Sequence, residues 1–240
     1  MENIKNTRYC DYLPKNYGKT VINTNDINNS IGISIGMKAP NFNSITTHGE
    51  CSLSDYKGKW CVFFSYPSDF NPVCTTELLS FSKYNDEFNK RNCYLLGTSI
   101  NNLSSHLAFF NNIYNLTSVK IPFPVIADVN MNIAKLYNML CINSAYTYTY
   151  RCVYIIDPNQ TIRAILHYPL TNGRCIPEIL RLLDSLIETD TKNCLTPAGW
   201  LPQLPSLKPS PTSFDELLEC KDSMYESNCL DWYLCFKDNN

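Results

Sequence analysis

Apolar positions along the chain follow two rhythms. Residues 60 to 66, "WCVFFSY", form an unbroken apolar run of strand length, the pattern of a strand covered on both faces. Directly after it, Leu78, Phe81, Tyr84 and Phe88 recur at spacings of three and four within "CTTELLSFSKYNDEFNKRN", which predicts an amphipathic helix. The alternation repeats with "YLLGTSI" as a strand and "SSHLAFFNNIYN" as a serine-capped helix, Leu107, Phe110 and Tyr114 on one side. "PFPVIAD" and "NIAKLYNML" supply another strand and helix. The rhythm then changes. "YRCVYIIDP" and "TIRAILHYP" are strand-like runs separated by little more than Asp157 to Gln160, so they pair as an antiparallel hairpin. Pro177 marks the start of a last strongly apolar helix through Ile179, Leu180, Leu183 and Ile187. Alternating β and α units followed by β-β-α predict an α/β fold, a mixed central sheet flanked by helices in a thioredoxin-like arrangement with an extended C-terminal arm.

The margins differ in texture. Residues 1–33 are polar, with "NTNDINNS" too poor in apolar side chains to fold alone, and read as a loose N-terminal arm. Residues 34–190 form the thioredoxin-like domain and 191–240 a C-terminal extension. In that extension Pro197, Pro202, Pro205, Pro209 and Pro211 predict an extended segment lying over a surface. A short polar helix is expected from about Phe214 to Cys220. The tail "NCLDWYLCFKDNN" sets Trp232 and Tyr233 between two cysteines, and burying those rings requires the tail to dock.

Composition narrows the function. Twenty Lys and Arg against 22 Asp and Glu give a net charge of -2 with no run of one sign, which disfavours nucleic acid and anionic membrane surfaces as partners. Neither a membrane-spanning apolar stretch nor a secretion signal is visible, so the chain reads as soluble and cytoplasmic. Twelve cysteines scattered without paired spacing read as reduced thiols, a few of them chemically active. Cys74 stands apart. It follows Pro67 and Pro72 and falls in the first turn of a helix fed by a strand, where free N–H groups and the macrodipole favour a thiolate. Taken alone, these residues fit equally a reactive thiolate and a strand-to-helix loop holding a buried cysteine.

"DFNPVCTTE" resembles the active-site signature of the peroxiredoxins, thiol peroxidases of the thioredoxin fold: Pro67, Cys74 and Glu77 match it, and Asn71 stands where the family has threonine. "GMKAPNF" resembles the family's opening segment, "SHLAF" its Ser-His helix start and "YRCVYIIDP" the strand bearing its arginine, Arg151. "YPLTNGRCIPEILRLLDSL", with Arg174, and "TPAGW" resemble the long C-terminal-extension, 1-Cys-like branch, and the likeness runs from about residue 34 to 200. It implies that Cys74 attacks a peroxide oxygen to give a sulfenic acid. Arg151 would hold the thiolate and steady the leaving oxygen, with Glu77 and Arg174 forming a supporting ion pair. Asn71 would offer an amide in place of a hydroxyl, with slower turnover expected. "CLDWYLC" is similar to the cysteine pair of archaeal-type members, which makes Cys235 the resolving candidate and Cys229 the alternative, with Cys220 a spare. The implied partners are hydrogen peroxide or a small hydroperoxide, a thioredoxin-like or other thiol reductant, and a second copy in a homodimer, with a decamer as a further option. No metal or organic cofactor is implied: no Cys-x-x-Cys occurs, and the late cysteines lack zinc-ribbon spacing. Cys61, Cys93 and Cys152 read as core, and His106 and His167 as structural. "YKGKWC" lacks the serine that the phospholipase activity of some relatives needs. A different class, a redox-regulated binding protein, stays open as the alternative, to be separated by turnover with a reductant.

Overall fold

The computed structural model describes residues 32–141, 146–223 and 228–237, and the chain divides after Arg174 into two compact units. All but the last two residues of the expected N-terminal arm lie outside the described residues.

In the first unit the strands are β1 (Asn43–Thr46), β2 (Gly49–Ser52), β3 (Trp60–Ser65), β4 (Cys93–Ser99), β5 (Val125–Ala127), β6 (Arg151–Ile156) and β7 (Ile162–Tyr168). They form one mixed sheet in the order β2-β1-β5-β4-β3-β6-β7. β3 runs parallel to β4, and β4 to β5, whereas β6 lies antiparallel to β3 and to β7. This is the mixed α/β architecture that the alternation predicts, with α1 (Pro72–Lys90), α2 (Leu103–Thr117) and the short α3 (Asn132–Leu136) as its helices. α1 packs against β4 and α2 against β5.

All six residues of β3 are buried, as a doubly covered strand requires. Neighbouring side chains on a strand point to opposite faces, and the two phenylalanines divide accordingly. Phe63 packs with Phe42, Tyr137 and Tyr154 on one face. Phe64 stacks on Phe81 of α1 at 4.1 Å and meets Phe123 edge-on. Gly97 makes the second arrangement possible, because a Cβ there would stand 2.9 Å from Val125 and 3.2 Å from the Phe64 ring. The periodicity of "NIAKLYNML" predicts a longer helix than the one that forms. α3 stops at Leu136 because Asn138 turns left-handed (φ 51) and Met139 N–H returns to the carbonyl of Ala134. That turn sends Tyr137 and Met139 into the core.

The second unit contains α4 (Ile176–Lys192), β8 (Ser206–Leu207), α5 (Phe214–Ser223), β9 (Cys229–Asp231) and β10 (Leu234–Lys237). β8, β10 and β9 make a small antiparallel sheet, so the proline-rich segment contributes an edge strand where an extended run alone is expected. Cys229 and Cys235 are joined by a disulfide across the β9–β10 hairpin. Leu230 and Tyr233 are more than half exposed in this unit. No helix of the described residues is long and apolar enough to cross a membrane.

Candidate active site

The site starts where β3 ends. Tyr66 and Pro67 carry the chain, still buried, out of the strand, and the missing N–H of Pro67 ends the ladder. Phe70 then takes a left-handed backbone (φ 56), uncommon for a bulky side chain, and Asn71 caps α1 with extended dihedrals. Pro72 occupies the first helical turn, where a missing donor costs nothing. Cys74 is the third helical residue, and its N–H donates to Asn71 Oδ1 at 3.0 Å. The Asn71 oxygen also accepts from Arg151 Nη2 at 3.4 Å. Both acceptor positions of that amide are therefore committed, and its two N–H donors are what it has left to offer.

Cys74 and Glu77, three apart on α1, point to the same buried face. β6 runs antiparallel to β3, which brings Arg151, its first residue, to the end of β3 where α1 begins. All five Arg151 donors are used. Nη1 donates to Cys74 Sγ at 3.3 Å and to Glu77 Oε2 at 2.7 Å. Nη2 serves Asn71 and, at 2.7 Å, the carbonyl of Leu170, which Nε also reaches at 3.0 Å. Arg174 embraces Glu77 from the other side: its backbone N–H and Nε donate to Oε1 at 2.9 and 2.8 Å, and Nη2 to Oε2 at 2.7 Å. Its Nη1 donates to the carbonyls of Ser65 and Cys152, and the guanidinium lies over the rings of Phe64 and Phe81. Gly173 lets this loop approach α1, since a Cβ there would stand 3.3 Å from Val73.

The cluster thus sets two guanidinium groups against one carboxylate, and removing these charges from water is tolerable only because each is multiply hydrogen-bonded. Cys74 is fully enclosed. The helix start and the neighbouring arginine lead to the expectation of a lowered thiol pKa, but the net shift runs the other way. Burial pushes the Cys74 thiol up, outweighing the backbone of Ser68 and the Arg151 guanidinium, which pull it down, and Glu77 adds to the rise. Enclosure is a property of the fold that the sequence does not display.

A second polar cluster lies behind the turn. Asp69 accepts from Tyr66 Oη at 2.9 Å and from Ser105 Oγ at 2.6 Å, and faces His106 Nδ1 at 2.9 Å. Its backbone N–H donates to Asn101 Oδ1 at 3.1 Å. The sequence alone assigns no role to Tyr66, Asp69 or Ser105, although Asp69 and Ser105 fall inside "DFNPVCTTE" and "SHLAF" and Tyr66 ends the run "WCVFFSY".

The fold therefore brings Asn71, Cys74, Glu77, Arg151 and Arg174 together in the first unit, with Pro67 at the strand exit. Cys229 and Cys235 lie in the second unit, bonded to each other. Among the described residues, no group of three or more His, Cys, Asp or Glu side chains is placed to hold a metal ion.

The chain is similar to known proteins along most of its length. The model of the AhpC/TSA family matches residues 35–165. Peroxiredoxin 2 of Caldanaerobacter subterraneus subsp. tengcongensis is 46% identical over 203 residues, spanning 85% of this chain and 92% of that protein. The peroxiredoxin of Aquifex aeolicus is 41% identical over 214 residues, spanning 85% and 96%. Among solved structures, a yeast mitochondrial 1-Cys peroxiredoxin superposes with a TM-score of 0.76 at 38% identity, over 85% of this chain and 99% of that one. Peroxiredoxin 6 of Arenicola marina superposes with a TM-score of 0.77 at 30% identity, over 87% and 99%. The chain belongs to the AhpC/TSA family and is a peroxiredoxin, an oxidoreductase that works as a thiol peroxidase.

Proposed function

We propose that Cys74 is the residue that reduces hydrogen peroxide and small organic hydroperoxides, in the cytoplasm and as a homodimer with a decamer as its larger assembly. The observation that carries this reading is the 3.3 Å contact from Arg151 Nη1 to Cys74 Sγ inside a cluster of two guanidiniums and one carboxylate. Such a cluster has one positive charge in excess, and a Cys74 thiolate balances it. The thiolate attacks one peroxide oxygen and the O–O bond breaks. Sulfur is oxidised to the sulfenic acid, and the departing oxygen takes a proton to become water or an alcohol. Arg151, whose orientation is set by Glu77 and Leu170, keeps a fixed cation beside the reacting atoms and costs no reorganisation. Glu77 and Arg174 hold Arg151 in place. Pro67 and Asn71 shape the helix start, and the Asn71 amide N–H groups are the donors left for a peroxide oxygen.

A tail thiol, Cys235 with Cys229 as the alternative, then condenses with the sulfenic acid, releasing water and forming a disulfide. The second tail thiol displaces Cys74 and leaves the Cys229–Cys235 bond, which a dithiol such as a thioredoxin reduces. The hairpin disulfide supports this order, since it pairs the two tail sulfurs directly. The alternative of a redox-regulated binding protein is not favoured, because the relatives carry peroxiredoxin names along most of their length. Peroxide titration with mass mapping tests the reading: the expected result is oxidation at Cys74 first and a Cys229–Cys235 disulfide on completion, and an unmodified Cys74 overturns it.

A further inference from the structure

His106 is fully buried at the start of α2, and both of its ring nitrogens face oxygen. Nε2 stands 3.2 Å from the carbonyl oxygen of Ile126, which can only accept, so Nε2 carries a hydrogen. Nδ1 stands 2.9 Å from Asp69 Oδ1 and 3.1 Å from Tyr66 Oη. A neutral imidazole has a single N–H, already placed on Nε2, and would aim the Nδ1 lone pair at a carboxylate oxygen. Both groups are buried, which leaves that repulsion weakly screened. One more proton removes it, on Nδ1 or on Oδ1, and in either case the two side chains hold it between them. Tyr66 has one hydroxyl hydrogen for either neighbour, and burial, with Asp69 adding to it, pushes that hydroxyl well up so that it stays a donor. Cys74 is the other titratable group that acts on Tyr66, while Ser105, Asn101 and the Ile126 carbonyl are neutral partners.

The position of this pair gives it a task. Asp69 directly precedes Phe70, whose left-handed backbone persists only if its surroundings over-determine it. On one side the turn is fastened through the Asp69 carboxylate and N–H, and on the other through Asn71, which caps Cys74 and touches Arg151. We propose that Asp69 and His106 share a buried proton and, through the Phe70 turn, act as positioning residues that hold Asn71 against Cys74. The proposal rests on the reading of Cys74 as the reactive sulfur.

Nitrogen NMR on the whole wild-type chain near neutral pH tests the proton and needs no variant. A protonated Nε2, together with a protonated Nδ1 or a strongly deshielded hydrogen shared with Asp69, is expected; a bare Nδ1 without such a hydrogen overturns the proposal. The link to Cys74 is read by iodoacetamide alkylation of Cys74 at one fixed pH. Asp69→Ala removes the shared proton and one fastening of the Phe70 turn, and is expected to slow alkylation about tenfold, the scale of a lost cap and a weakened hydrogen bond to sulfur. Asp69→Asn fills the contact with an amide hydrogen and is expected to restore most of that rate. An unchanged rate in Asp69→Ala, or equal slowing in both variants, sinks the positioning role. Alkylation involves no peroxide, so an error in the peroxidase reading shows up separately, as absent Cys74 oxidation in the mass map.

Discussion

Sulfur occupies two contrasting settings in this molecule. The cations around Cys74 are distant in sequence: Arg151 lies 77 residues away, and Arg174 reaches Glu77 across 97 residues. The Cys229–Cys235 pair is local, six residues apart on one hairpin whose Leu230 and Tyr233 remain largely in water. The first environment exists only in the folded state, since an unfolded chain has no guanidinium near Cys74. The second needs only a turn. A sulfur whose charged surroundings are assembled by long-range contacts is tied to the folded state, whereas a hairpin pair needs only that the chain bend back on itself.

Four experiments break or sharpen that contrast. Cys74→Ser is expected to abolish peroxide consumption in a coupled turnover assay, and substantial residual activity would move the chemistry to another sulfur. Glu77→Gln removes the anion between two buried cations and should cost about 3–5 kcal/mol of stability, read as a lower denaturant midpoint. A near-neutral result would show that the cluster is solvated. Arg151→Met should slow Cys74 oxidation about 100-fold, the scale of a lost oxyanion donor. It should also shift the alkylation profile of Cys74 to higher pH, because the guanidinium is a group that pulls the thiol down. An unshifted profile would separate the arginine from the ionisation of the sulfur. Cys235→Ser opens a short covalent loop and should destabilise the second unit by about 2 kcal/mol in a thermal melt. In the mass map it should also leave Cys74 as an unresolved sulfenic acid after peroxide, and a disulfide from Cys74 to Cys229 or Cys220 would transfer the resolving role to that cysteine.

Much of the sheet can be read from the residues because its signal is local. "WCVFFSY" is wholly buried, and the α1 stripe of Leu78, Phe81 and Phe88 faces the core. The hairpin of Arg151–Ile156 and Ile162–Tyr168 pairs in the expected antiparallel sense. α3 was less readable, since apolar spacing cannot reveal that Asn138 will turn left-handed. Individual site residues are visible in their motif, but their energetics are not. The burial that raises the Cys74 thiol exists only once the chain is folded, and no motif displays it. The surroundings of His106 are not legible either, because a sequence names the imidazole without showing that oxygen atoms face both of its nitrogens. The tail disulfide was hidden for another reason: one bulged hairpin register decides which sulfurs meet.

The saturation of Glu77 has a consequence for anyone reworking this enzyme. Each of its oxygens already receives two hydrogens, so Glu77, Arg151 and Arg174 behave as one inseparable part that tolerates no piecemeal exchange. Asn71 meets that unit only through its Oδ1, 3.4 Å from Arg151 Nη2, so under the proposed function it is the position to exchange first, with a replacement that still accepts from the Cys74 N–H.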